Sequence, residues 1–106
     1  MKERSDPVRP DPVLSTMTRL SLVAFLAATT EADFAGVRDA VGLTDSNLSK
    51  HATALETAGY VAVRKGYVGR RPRTWLALTP AGRRALKTHV AALNAILADA
   101  GEQLAP

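Results

Sequence analysis

The chain contains no cysteine, which excludes a disulfide scaffold, a thiolate metal site and a cysteine nucleophile. It has no apolar run near the roughly 18 residues that a membrane-spanning helix needs. Its N-terminus is charged and broken by prolines, unlike the apolar stretch of a secretory signal. These absences point to a cytoplasmic protein with no membrane partner. No grouping of nucleophile, base and orienting residue is evident. The glycine-rich stretch late in the chain is not a strand-to-helix turn, nor does the Lys with Ser or Thr of a phosphate-binding loop follow it, so the chain does not read as an enzyme. At 106 residues it can bury one core and is too short for two.

Acidic residues are missing from a long stretch as well. Residues 57–98 carry eight Lys and Arg and no Asp or Glu, whereas residues 1–56 carry six basic residues against eight acidic ones. The formal net charge of +4 therefore conceals a block of one sign. Such a block implies a surface facing a polyanion, with nucleic acid first and an acidic membrane or protein surface second.

The organisation follows from periodicity and punctuation. Residues 1–11 are polar, contain Pro7 and Pro10, and read as a flexible arm. Asp11 before Pro12 is a capping acceptor followed by a residue whose missing N–H is harmless at a helix start. That start predicts a first helix over 12–28 burying Leu14, Met17, Leu22, Phe25 and Leu26. A short helix over 33–41 places Phe34, Val37 and Val41 on one side, and Gly42 stops it. Thr44 then caps a third helix, with Asp45 favourable at the positive end of its dipole and Leu48, Ala52 and Leu55 as its buried stripe. Two helices joined by a tight glycine turn form a helix-turn-helix.

Residues 60–65 and 74–78 alternate as strands, with Val61 and Val63, then Leu76 and Leu78, facing inward. The intervening residues 66–73, with two glycines, a proline and three arginines, read as a flexible basic hairpin tip. Thr79 and Pro80 open a last helix over 80–100, leaving a tail over 101–106. The expected fold is mainly α with a small β-hairpin: a winged helix-turn-helix over 12–100 with a long C-terminal dimerisation helix.

Three stretches carry a family resemblance: Leu48-Ser49-Lys50-His51, Leu55 through Val61, and the wing Gly69-Arg70-Arg71-Pro72-Arg73-Thr74 with Leu78-Thr79-Pro80-Ala81-Gly82-Arg83. Together they resemble the small winged-helix transcriptional regulators related to the MarR and ArsR groups. The resemblance implies a homodimeric DNA-binding regulator, commonly a repressor, whose third helix enters a major groove while the wing reaches a flanking minor groove. Ala52 departs from the family, where a larger aliphatic residue is usual.

The residues themselves suit that placement. The third helix offers Asp45, Ser46, Asn47, Ser49, Lys50 and Thr53 as DNA-facing groups. Asn47 can make a bidentate contact to adenine, Lys50 can reach guanine or a phosphate, and the hydroxyls suit phosphates or bases. With one Lys and no Arg, this helix supplies little counterion release. The wing has to supply it, through Arg64, Lys65, Arg70, Arg71 and Arg73. Arg83 and Arg84 sit where the dipole of the last helix disfavours positive charge, so a phosphate, a carboxylate or plain solvent must compensate them.

In the last helix Leu86, Val90, Leu93, Leu97, Ala100 and Leu104 fall at heptad spacing, and Ile96 widens the apolar surface. This predicts an interface with a second copy through Leu86, Val90, Leu93, Ile96 and Leu97. Two reading helices on a twofold axis then demand a palindromic double-stranded site. No metal ligands group together, no cofactor is called for, and a small-molecule effector would have to bind between the dimer helices and the DNA-binding lobe. His51 is placed beside the core or toward a phosphate. Trp75 is in phase with the outer face of the hairpin, and a register one residue out would make it core. A winged-helix module that binds protein without reading DNA is the competing functional class.

Overall fold

The structure, a computed structural model, describes residues 9–105. Four helices surround a three-stranded antiparallel sheet: α1 (Met17–Ala27), β1 (Ala32–Asp33), α2 (Phe34–Val41), α3 (Asp45–Thr57), β2 (Val61–Val68), β3 (Arg71–Leu78) and α4 (Pro80–Leu104). The sheet order is β1-β3-β2. This is the winged helix-turn-helix expected from the sequence.

The expected first helix is in fact two elements. Pro12–Leu14 form a 3-10 turn capped by Asp11, and the chain extends again at Thr16, whose side chain caps α1 by accepting from the Arg19 N–H. The break follows from a second capping residue inside the apolar pattern, since an N-cap requires non-helical backbone. It turns Met17 outward to 76% exposure, and Val23 is buried in α1 beside Leu22 and Leu26. Residues 1–8 of the expected arm lie outside the described residues, whereas Asp11 is held in place by hydrogen bonds. Its backbone N–H donates to His89 Nδ1, its carboxylate accepts from the Val13 N–H, and it accepts from the Tyr60 hydroxyl.

α2 and α3 meet the sequence expectations closely. Gly42 stops α2 in the left-handed conformation, and the Thr44 hydroxyl caps α3 by accepting from the Asn47 N–H at 3.1 Å. Val37, Leu48, Ala52 and Leu55 join Leu14, Leu22, Val23, Leu26, Val61, Leu76 and Leu78 in one core. Each buried Leu or Val contributes about 1.5–3 kcal/mol of transfer free energy, so this cluster is what holds α3 against α1 and the sheet.

The wing is longer and more regular than expected. β2 and β3 pair without interruption from Val61↔Leu78 to Val68↔Arg71, leaving only Gly69 and Arg70 as the turn. Gly69 has φ 63° and Arg70 does not have positive φ, the sign pattern of a type II′ turn, whose twist matches the strands it joins. The segment 66–73 is therefore mostly ladder, and Arg71 and Arg73 project from a strand. β1 has no counterpart in the sequence expectations: Ala32 and Asp33 pair with Leu76 and Trp75 just before α2 begins.

α4 continues to Leu104, so the tail expected from residue 101 is helical through that residue. Its N-terminus is locked in place. Thr79 donates its N–H to the Tyr60 carbonyl and its hydroxyl to the Gly59 carbonyl, while that hydroxyl accepts from the Gly82 N–H. A Cβ at Gly82 would lie 2.2 Å from the Tyr60 carbonyl oxygen, so only glycine lets helix and backbone approach this closely. Gly82→Ala is expected to cost about 3 kcal/mol by overpacking, lowering the thermal midpoint by roughly 15 °C. A melting curve unchanged within a few degrees would show that α4 can move off Tyr60 at little cost.

Candidate nucleic-acid interface

α3 presents a polar surface from its first turn onward. Leu48, Ala52 and Leu55 are buried, which leaves Asp45, Ser46, Asn47, Ser49, Lys50 and Thr53 exposed, while Ala54 is half-buried. Asp45, Ser49, Thr53 and Glu56 form one wall of an open groove of about 610 Å³. α2 contributes Phe34 from its first turn and Arg38 from its last, and on the wing side the groove is lined by Lys65 and Thr74 together with the β3 residues Arg71 and Arg73. Ala52 lies at the floor of this groove with Val63 and Leu76, between α3 and the wing.

The two arginine-rich strands do not present all their charge alike. In a ladder, side chains alternate between faces and opposed residues share one, so Lys65 and Thr74 share the inner face with Val63 and Tyr67; Arg71 and Arg73, opposed to Val68 and Gly66, are in phase with the other, and so is Arg64. There its guanidinium stacks over the Trp75 ring at 3.9 Å from the centroid and grips Glu31 through two bonds of 2.8 and 2.9 Å. Trp75 is thus on the outer face of the hairpin. Arg64, expected as part of the basic patch, bonds a carboxylate and stacks on an aromatic ring. The bond with Arg64 holds the Glu31 carboxyl below its ordinary range, and Glu31 raises Arg64 in turn.

Arg83 is likewise engaged. It donates to the Ala27 and Thr29 carbonyls at 3.1 and 3.4 Å, where α1 ends and its unpaired carbonyls carry the negative end of the dipole. The compensation that its position requires comes from this helix terminus rather than from a phosphate or carboxylate. Arg70, Arg71, Arg73 and Lys65 make no ion pair among the described residues.

Two groups escape a reading of the sequence. Arg38 on α2 bonds Asp39 at 2.8 Å and Asp45 at 2.7 Å. These bonds raise the guanidinium further above its ordinary value and lower the Asp39 carboxyl. The only signal in the sequence is a basic residue near the C-terminus of an expected helix, and nothing in the spacing indicates that α2 and the start of α3 fold so that residues 38 and 45 meet. Tyr67 stands 72% exposed on the wing, opposite Pro72. In a segment that reads as a loop, no face can be assigned to it.

His51 is half-buried, and its Nδ1 accepts from the Arg19 Nε at 3.2 Å. A neutral ring that accepts at Nδ1 carries its proton on Nε2. Burial pushes its pKa below the ordinary 6.5, and the charges of Arg19 and Lys50 push it further down. The last helix divides along its length. Leu86 packs on the core of its own chain, and Leu93 is half-buried beside a shallow pocket of about 160 Å³ bounded by Leu14, Met17, Leu20 and His89. Val90, Ile96, Leu97 and Leu104 are exposed, Leu97 by 64%.

Comparison with known proteins agrees with this architecture. A family model described as a winged helix DNA-binding domain matches residues 18–97. The chain is 28% identical over 78 residues to an uncharacterised protein of Methanocaldococcus jannaschii, covering 74% of this chain and 85% of that protein. It is similar, at 30% identity and a TM-score of 0.76, to the structure of a transcriptional regulator homologue from Pyrococcus horikoshii, over 82% of this chain and 86% of the other. The M. tuberculosis regulator MosR, solved in complex with DNA, shares the fold at 21% identity and a TM-score of 0.68, over 89% of this chain and 67% of that one.

The depressed His51 pKa has a signed consequence for stability. Because the folded state favours the neutral ring, the contribution is fully present above the ordinary value of 6.5 and is lost as pH falls below it. Urea midpoints of the parent should drop between about pH 7.5 and about pH 5.5, and those of His51→Gln should drop less. Parallel pH profiles for the two proteins would assign the loss to other groups.

Proposed function

On the premise that the chain belongs to the winged helix DNA-binding domain family, we propose that it is a sequence-specific transcriptional regulator, a repressor that binds a palindromic operator as a homodimer. The observation that carries this reading is the shared groove: the exposed polar turns of α3 form one wall, and the wing strands, with Lys65 and Thr74 facing inward, form the other. α3 enters the major groove with Ser46, Asn47, Ser49, Lys50 and Thr53 toward base edges and phosphates. The wing follows the adjacent minor groove, where closely spaced arginines are attracted by the narrow groove's potential. The sugar-phosphate strand between the two grooves passes across the gap.

This assigns different tasks to the two elements. Lys65, Arg70, Arg71 and Arg73 supply the counterion release that drives binding to any duplex. The third helix, carrying one Lys, supplies the discrimination. Arg64 is left out of the contact set because Glu31 and Trp75 already occupy its guanidinium.

The second copy follows from α4. Its 25 residues span about 37 Å at 1.5 Å per residue, and Val90, Ile96, Leu97 and Leu104 leave an apolar ridge in water. Exposed Met17 extends that surface onto α1. Pairing two such ridges about a twofold axis covers both and sets the reading helices roughly 34 Å apart, one turn of DNA.

Two measurements test this reading. Replacing Arg70 and Arg71 by Ala should lower the magnitude of the slope of log K against log salt by roughly 2, close to one unit for each phosphate that is no longer neutralised. An unchanged slope would remove the wing from the interface. Selection from random duplexes followed by sequencing should return a palindrome for the parent. Leu97→Glu should sediment as a monomer and lose affinity for that palindrome, and a parent that selects no duplex at low salt would leave the protein-binding class in its place.

A further inference from the structure

Building on the reading helix proposed above, we propose that Asp45 is a specificity-determining residue that accepts a hydrogen bond from the exocyclic amine of a cytosine or an adenine, and that Arg38 is the positioning residue that aims it. Asp45 opens α3 and its side chain is 72% exposed, whereas Arg38, which bonds it through Nη1 to Oδ1 at 2.7 Å, is 31% exposed. The cation therefore stands behind and the carboxylate in front. Asp39 takes the Arg38 Nε at 2.8 Å, so two bonds from different residues fix the plane of the guanidinium and, through it, the rotamer of Asp45. Among the described residues Oδ2 of Asp45 takes no hydrogen bond.

Simple helix capping does not account for this arrangement. The cap of α3 is already made by Thr44, and a charge held only for the helix dipole would not need a guanidinium to hold it in one rotamer. A carboxylate on a face that meets phosphates is otherwise a liability, because it repels the backbone on which the wing depends. Pairing with Arg38 reduces that repulsion while leaving a directed acceptor, although Asp39 shares the same cation. An ionised carboxylate can only accept. In the major groove the donors are the cytosine N4 and adenine N6 amines, while guanine O6 and N7 and thymine O4 present acceptors. Asp45 thus selects as much by rejecting the wrong edge as by bonding the right one.

The test is random-duplex selection with sequencing on the full chain, run for the parent, Asp45→Asn, Arg38→Gln, Arg38→Lys and the double variant Asp45→Asn with Arg38→Gln. In the parent, one position of each half-site should hold cytosine or adenine on the contacted strand. Asp45→Asn should relax that position roughly tenfold, within the range of one base contact, and leave the other positions intact. Arg38→Gln should relax the same position, Arg38→Lys should restore part of the preference, and Arg38→Gln should add nothing once Asp45 is Asn. Ratios between sequences are read on protein that has bound, so partial unfolding lowers every sequence alike without moving them.

If the parent selects a site and Asp45→Asn leaves every preference unchanged, Asp45 is not a reader and the inference falls while the regulator reading stands. If Arg38→Gln weakens all duplexes equally with the selected bases unchanged, Arg38 is a phosphate contact and not a positioning residue. A parent that selects no sequence brings down the regulator reading and this inference together.

Discussion

Tyr60 is the junction on which the placement of everything else depends. Its N–H returns to the Leu55 carbonyl and ends α3, its carbonyl accepts from Thr79 and fixes the start of α4, and its hydroxyl donates to Asp11. Asp11 in turn caps the 3-10 turn and donates its N–H to His89, which is 1% exposed within α4. The hydrogen bond to Asp11, then burial, raises the phenol above its ordinary value, keeping it protonated as the donor this chain of bonds requires. One residue therefore sets the relative position of α3, the base of the wing and α4. A backbone carbonyl pressed against Gly82 leaves that setting little freedom.

The cations of the protein divide into those that build the fold and those that remain outside it. Arg64, Arg83, Arg38 and Arg19 each bond a carboxylate, helix-end carbonyls or an imidazole within the chain. Exposed ion pairs of this kind contribute little to stability, but they fix where side chains point. Of the eight cations in the basic block, Arg64 and Arg83 have partners within the chain. The surface potential that remains is concentrated on the wing and on the exposed face of α4.

Much of the fold is legible in the sequence because helices advertise themselves over several turns. The Phe34, Val37, Val41 stripe, the Leu48, Ala52, Leu55 stripe, and the caps Thr44 and Thr79 are local patterns with local causes. The elements that escape such a reading have causes outside their own residues. β1 is two residues long, too short for any periodicity, and exists because Trp75 and Leu76 offer it a partner. The break before α1 comes from Thr16 competing as a cap inside an apolar stretch that reads as continuous. The wing reads as a loop because glycine, proline and arginine dominate its composition, yet Pro72 is tolerated where β3 has only β2 beside it. At the interface, α3 alone shows which residue types could face DNA. Which of them are held by partners is not legible there, since the 31–64 and 27–83 bonds close only when distant segments fold together, and the 38–45 bond depends on how α2 and α3 are set across their turn.

The unbroken wing ladder carries a counting rule. Because faces alternate residue by residue, Arg64 meets Trp75 and Glu31 on one side while Lys65 meets the groove on the other. Deleting or inserting a single residue in β2 between its base and that pair would exchange the two, sending an arginine into the groove and leaving Glu31 and the indole without their cation. Length variation in this hairpin is therefore quantised: descendants of this sequence can lengthen or shorten the wing by adding or removing opposed pairs near the turn. Odd changes survive only where a bulge absorbs the extra residue.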